Sequence, residues 1–189
     1  MSVGVLIVHL LAFVFVGLLP VIFFVRGRFS WRWWLTGAPF FVCAVALAAV
    51  LGHLVVPAHA SGPWRPVLDV VSVVFAVSSI ALVAFTLGSH RIPIALWHQE
   101  HDAPRQIVTW GAYARIRHPF YAAFLLAFVG AFIVAPHLWT LLPLVYGLIV
   151  LNVTAAREER RLLASEFGRE YEGYMRRTGR FVPRWRTAA

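Results

Sequence analysis

The sequence predicts an all-α integral membrane protein with five transmembrane helices. Three observations predict it. Of the 189 residues, 60% are hydrophobic and 13% charged, with a mean hydropathy of +0.75, whereas a soluble domain is nearer half apolar and a quarter charged. Apolar runs near the roughly 20 residues needed to cross a hydrocarbon core recur along the chain. The 17 basic residues are all arginine, and they collect in alternate connections, as they do on the cytoplasmic face of a membrane protein. The composition argues against a soluble enzyme and against a disordered chain. The net charge of +9 reads as a membrane-side marker, so no nucleic-acid partner is expected. The lone Cys43 excludes an intramolecular disulfide and any metal site built on thiolates, and no metal site is expected.

The first span is Val3–Val25, interrupted only by His9, Gly17 and Pro20. A signal peptide is the competing reading, but no positive charge precedes the run and Val25-Arg26-Gly27 lacks a small-residue cleavage site. Phe40–Val56 is the second span, entered through the aromatic belt of Trp31, Trp33 and Trp34. Val67–Leu87 is the third, with Asp69 in its first turn, where a carboxylate suits the helix dipole. Phe120–Ala135 and Leu138–Val153 are shorter runs joined by Pro136-His137, and read as a helical hairpin. Three arginines follow span one, four follow span three and nine follow span five, while Arg65 alone falls on the other side. This charge pattern predicts an amino terminus outside, a cytoplasmic carboxyl terminus and a plasma membrane of bacterial type. In the tail, Glu159, Leu163, Phe167, Tyr171 and Tyr174 form one helical stripe, read as an amphipathic cytoplasmic helix at the membrane surface.

Two groups of residues could carry chemistry. Gly111 to Tyr121 ends a cytoplasmic loop and opens span four, with Pro119 placed where a helix tolerates proline. The free amides there, with Arg117 and His118, read as an anion-friendly pocket. Glu158-Glu159 lies about one turn beyond the last span, and Glu159, on the stripe, is the acid expected to point inward. Positive-inside anchoring for the first group, and ion pairing with Arg157, Arg160 and Arg161 for the second, are the plain alternatives. His98 and His101, with Asp102, read as a solvated loop, Ser72, Ser78 and Ser79 as helix-bonding hydroxyls, and His9 and His53 as packing or interfacial residues.

Taken in order, Gly111-x-Tyr113, Arg117-His118-Pro119-x-Tyr121, a hairpin, Glu158-Glu159-x-x-Leu162, Phe167-Gly168-x-Glu170-Tyr171-x-x-Tyr174 and Arg180-Phe181-x-Pro183 resemble the isoprenylcysteine carboxyl methyltransferase family. The wider membrane methyltransferase group, including phospholipid methyltransferases, shares part of the pattern. The resemblance implies an S-adenosylmethionine-dependent enzyme acting on a lipophilic small-molecule or lipidated acceptor, with membrane lipids as further partners. Residues 1–104 would hold three spans and cytoplasmic loops, and 105–189 the cofactor-binding hairpin and tail, together one integrated domain. By position, Gly111, Tyr113, Arg117, His118, Pro119 and Tyr121 would shape the cofactor pocket, and Glu158 and Glu159 would meet its amino group or ribose hydroxyls. Arg177 matches the place of a functional family arginine, with Arg180 as the nearby alternative. The family often has glycine where this chain has Ala123. The tail favours a carboxylate acceptor. A phospholipid or other amine, and a non-catalytic binding or assembly role, remain the alternatives.

Overall fold

The computed structural model describes residues 2–24, 31–58, 62–89 and 107–184, with side chains except at 18–24 and 31–36. The His98–Asp102 loop, Arg26, Arg28, Arg91 and Arg105, and the side chains of Arg32 and the three interfacial tryptophans lie outside the described residues. The described residues form six α-helices and no strand: α1 Val3–Phe24, α2 Trp31–Leu51, α3 Arg65–Ser89, α4 Pro119–Val134, α5 Leu138–Leu163 and α6 Gly168–Arg177. By length and composition, α3 and α5 are apolar enough to cross a membrane, and shorter apolar stretches lie at Val3–Gly17, Gly37–Leu51 and Pro119–Val134.

The boundaries differ from expectation in three places. The helix of the second apolar run begins at Trp31 and passes through Pro39, so the aromatic entry is itself helical. It stops at Leu51, where Gly52 follows and His53 takes a left-handed φ of 58°. The tail stripe is not one helix. α5 ends at Leu163 and α6 starts at Gly168, whose added Cβ would stand 2.4 Å from the Leu163 carbonyl oxygen. Glycine lets the chain fold back on the helix end at that point.

α4 packs most extensively on α3. Its facing side is small, with Ala123, Ala127 and Ala131 fully or nearly fully buried. Small residues let helix backbones approach where lipid offers no hydrophobic drive. Ser79 of α3 uses that closeness, donating its hydroxyl to the Ala123 carbonyl at 2.8 Å. Ala123 therefore belongs to the α3 contact. On α4's flank Phe128 meets Phe13 and Phe40, with ring centroids at 5.7 and 4.7 Å. A Cβ on Gly147 of α5 would stand 3.0 Å from the Phe128 ring.

At the end of the bundle away from Arg117, Arg65 donates to the Val134 carbonyl at 2.8 Å and pairs with Asp69 at 2.6 Å. The arginine that stands apart from the other sequence groupings thus caps the last turn of α4. His137 opens α5, its Nδ1 accepting from the Trp139 amide at 3.2 Å.

Candidate functional site

The loop entering α4 is held from both sides. Gly111 has φ +61°, and a Cβ there would lie 2.0 Å from Ser89 Oγ. Only glycine fits this close approach. It allows the short 3₁₀ turn Gly111–Ala114 to dock on the end of α3, where the Ala112 amide donates to Ser89 Oγ at 3.0 Å. The Tyr113 carbonyl accepts the Tyr174 hydroxyl of α6 at 2.6 Å. Residues 115–118 then run beside the C-terminal segment in a parallel bridge. The amides of Arg117 and His118 donate to the carbonyls of Gly179 and Arg180 at 2.8 and 3.0 Å. Protein carbonyls thus occupy these two amides. Pro119, at the first helical position, has no amide to satisfy.

The two acids behave oppositely. Glu159 is 3% exposed and gathers Arg117 Nε at 2.9 Å, Arg180 Nε at 3.2 Å and Arg180 Nη2. Burial would raise its pKa, but the adjacent His118 and the hydrogen bonds from Arg180 and Arg117 outweigh burial and hold the carboxyl well below the usual carboxylate range. Glu158 accepts the Tyr121 hydroxyl at 2.9 Å and stands 3.5 Å from His118 Nδ1. Burial pushes it up to about 7, against the Tyr121 hydrogen bond and the charge of Arg161. Burial likewise lowers the pKa of His118, with Glu159 opposing, so the imidazole is neutral at pH 7. Its Nε2 lies 3.3 Å from Glu159 Oε1, yet off the line of a hydrogen bond, and is left buried without a partner. The His118 ring stacks on Tyr121, centroids 5.3 Å apart.

Arg117, His118, Tyr121, Glu158, Glu159 and Arg180 thus converge at one end of α4 and α5. Gly111, Tyr113 and Pro119 set the backbone that brings them there. Arg177 does not join them: it is exposed on the last turn of α6. Several participants were given no site role from the sequence. Phe181 packs against Tyr121, Leu125, Leu151 and Ala155. Thr178 is buried, and its carbonyl accepts from Arg117 Nη1. Asn152 Oδ1 accepts from Arg180 Nη1 at 2.7 Å. The available signal for Asn152 was its place as the chain's only asparagine, inside an apolar run.

Comparison with known proteins bears on this cluster. The sequence pattern of the phospholipid methyltransferase family matches residues 68–170, a stretch containing α3, α4, α5 and five of the six converging side chains. The chain belongs to this family. It is also 31% identical over 140 residues to the cobalt-zinc-cadmium resistance protein CzcN of Cupriavidus metallidurans, an alignment covering 67% of this chain and 64% of that protein. No solved structure matches. The family match stops before Thr178–Phe181, so the segment that supplies Arg180 completes the site from outside the matched region.

Proposed function

We propose that the protein is a membrane-embedded, S-adenosylmethionine-dependent methyltransferase acting on a lipophilic acceptor, with a carboxylate as the group methylated. The observation that carries this reading is the meeting of Tyr121, His118 and Glu158 in one buried polar cluster. The cluster has unmet demands that such a cofactor suits. His118 Nε2 is buried with no hydrogen bond, and Glu158 is a desolvated acid with no arginine within ion-pair distance among the described residues. A cationic amino group would favour ionised Glu158, and ribose hydroxyls would satisfy a neutral imidazole. When bound, the cofactor supplies a methyl group already activated on a sulfonium.

The protein's task is then alignment and exclusion of water. Arg117 and Arg180, both bonded to Glu159, lock the C-terminal segment across the end of α4. Phe181 and Tyr121 close the apolar side. Arg180 has five N–H groups and uses three on Glu159 and Asn152, leaving two to hold an acceptor carboxylate. A carboxylate needs no general base. In this reading five spans carry the chain across the bilayer, the amino terminus is outside, and cofactor enters from the cytoplasm.

Amine methylation of a phospholipid is the second reading. The family's description favours it, and a neutral His118 beside Glu158 could take a proton from an amine. The test common to both is calorimetry with S-adenosylhomocysteine on purified protein, followed by incubation with radiolabelled methyl donor and a lipid extract. Binding that disappears in Glu158→Gln or His118→Ala, with the melting temperature of the unliganded protein retained, supports the assignment. Absence of binding to the wild-type protein overturns it.

A further inference from the structure

Asn152 interrupts the fifth apolar run. On α5 it lies about 21 Å from Leu138 at 1.5 Å per residue, in the last turn of the run that ends at Val153. It is exposed, and so are Ile149, Leu148 and Val145 at three, four and seven residues before it. These spacings put all four on one helix face, an apolar stripe ending in an amide. A polar side chain within a spanning segment is disfavoured and marks a functional position. Its Oδ1 accepts from Arg180, and no partner is found for its two N–H donors among the described residues. Arg180, 32% exposed, rises to meet it from the C-terminal segment beside Phe181. This segment is held in place by its pairing to residues 115–118.

We infer that Asn152 and Arg180 form a membrane-facing seat for the anionic head of an amphiphile, a carboxylate or a phosphate ester, whose apolar tail lies along Ile149, Leu148 and Val145. The amide N–H groups and the two unused guanidinium N–H groups supply the donors, and the arginine supplies the charge. A cationic head is repelled. A neutral head forgoes the charge-assisted bonds that are the stronger ones. The stripe selects a molecule arriving sideways from the bilayer over a free anion from water. The inference rests on the methyl-acceptor reading above, since this seat adjoins Glu159 on the same face of α5.

The experiment uses the full chain in phosphatidylcholine nanodiscs, titrated with oleate, dodecyl phosphate, oleyl alcohol and dodecylamine, and with acetate and inorganic phosphate. Oleate or dodecyl phosphate should bind well ahead of oleyl alcohol and dodecylamine, and the stronger of the two names the head group. Acetate and inorganic phosphate should not bind. Asn152→Leu should weaken the anionic amphiphiles about tenfold, the worth of one hydrogen bond to a charged group. Asn152→Asp keeps an acceptor for Arg180 but replaces the donors with a charge, and should lose more than the leucine variant. Undiminished binding in either variant, equal binding of oleyl alcohol, or binding of the free anions as tight as the amphiphiles would overturn the seat. Failure of S-adenosylhomocysteine to bind the wild-type protein would remove the cofactor assignment, while the amphiphile series still decides the seat.

Discussion

Arg180 closes on Glu159 with two nitrogens, Nε at 3.2 Å from Oε1 and Nη2 on Oε2, while Arg117 holds Oε1 from the neighbouring segment at 2.9 Å. One carboxylate on α5 thereby ties the loop before α4 to the chain after α6. Removing one partner of a buried ion pair leaves an uncompensated charge, at a cost of about 3 kcal/mol or more. Glu159→Gln should therefore lower stability by about that amount in reversible unfolding. Arg180→Ala should cost less, because Arg180 is 32% exposed and Arg117 still pairs with the acid. An equal, small loss in both variants would show that the clasp contributes little.

Glu158 predicts a pH dependence with a definite sign. Its pKa is raised from 4.5 to about 7 in the folded protein. Across that window the folded state keeps a proton that the unfolded chain has lost. The stabilisation is complete below about pH 4.5 and is lost as pH rises toward 7. Glu158→Gln should flatten the decline of melting temperature over this range. Under the proposed function, the ammonium that S-adenosylmethionine and S-adenosylhomocysteine share favours ionised Glu158, so the affinity of S-adenosylhomocysteine should rise as pH passes upward through about 7. An affinity that does not change with pH in this range would count against ligand contact at this acid.

Two glycines near the carboxyl terminus should respond in opposite directions to alanine. A Cβ on Gly179 would fall 1.7 Å from the Val182 carbonyl oxygen and 3.1 Å from the Arg184 amide nitrogen. Backbone cannot yield as a side chain does, so Gly179→Ala should destabilise by about 1–3 kcal/mol, the range of overpacking. It should also loosen the bridge to residues 115–118. Gly173, within α6, has nothing within 4 Å of a Cβ, and Gly173→Ala should stabilise by roughly 0.5–1 kcal/mol. Thermal unfolding of the pair in detergent checks both signs.

The topology is testable without any ligand. Sixteen of 17 arginines lie in alternate connections, which predicts residue 60 outside and residue 100 in the cytoplasm. In a Cys43→Ala background, Ala60→Cys should react with an impermeant maleimide in intact cells. Glu100→Cys should react only after permeabilisation. External labelling at position 100 would reverse the arrangement.

The helices were legible because apolar length and charge asymmetry act along the chain, and each helix satisfies its own backbone. The site was legible as two clusters of residue types, but their division of labour was not. Adjacent Glu158 and Glu159 look alike in sequence. Their difference comes from long-range partners, Tyr121 for one and Arg117 with Arg180 for the other, which only the packing of α4 on α5 brings within reach. The break at Ser165–Phe167 was hidden by a hydrophobic stripe that continues in register through a fold-back. Asn152 was hidden because one amide does not interrupt an apolar run.

The acceptor class turns on which arginine meets it. Arg177 is exposed on α6, whereas Arg180 lies in the cluster with two N–H groups to spare. A guanidinium holds a carboxylate by paired charge-assisted bonds that an ammonium cannot reproduce. Under the carboxylate reading, Arg180→Lys keeps a charge against Glu159 but loses the fork, and turnover should fall about a hundredfold, as small misplacements of a bound reactant do. Arg177→Lys should leave turnover within a few-fold of wild type. The labelled product should be a methyl ester that releases methanol in mild base. An amine product would survive base, and its formation should accelerate with pH as the acceptor loses its proton. A base-stable product with Arg180→Lys fully active would transfer the protein to the amine-methylating branch, leaving the helical framework and the Glu158 pocket as described.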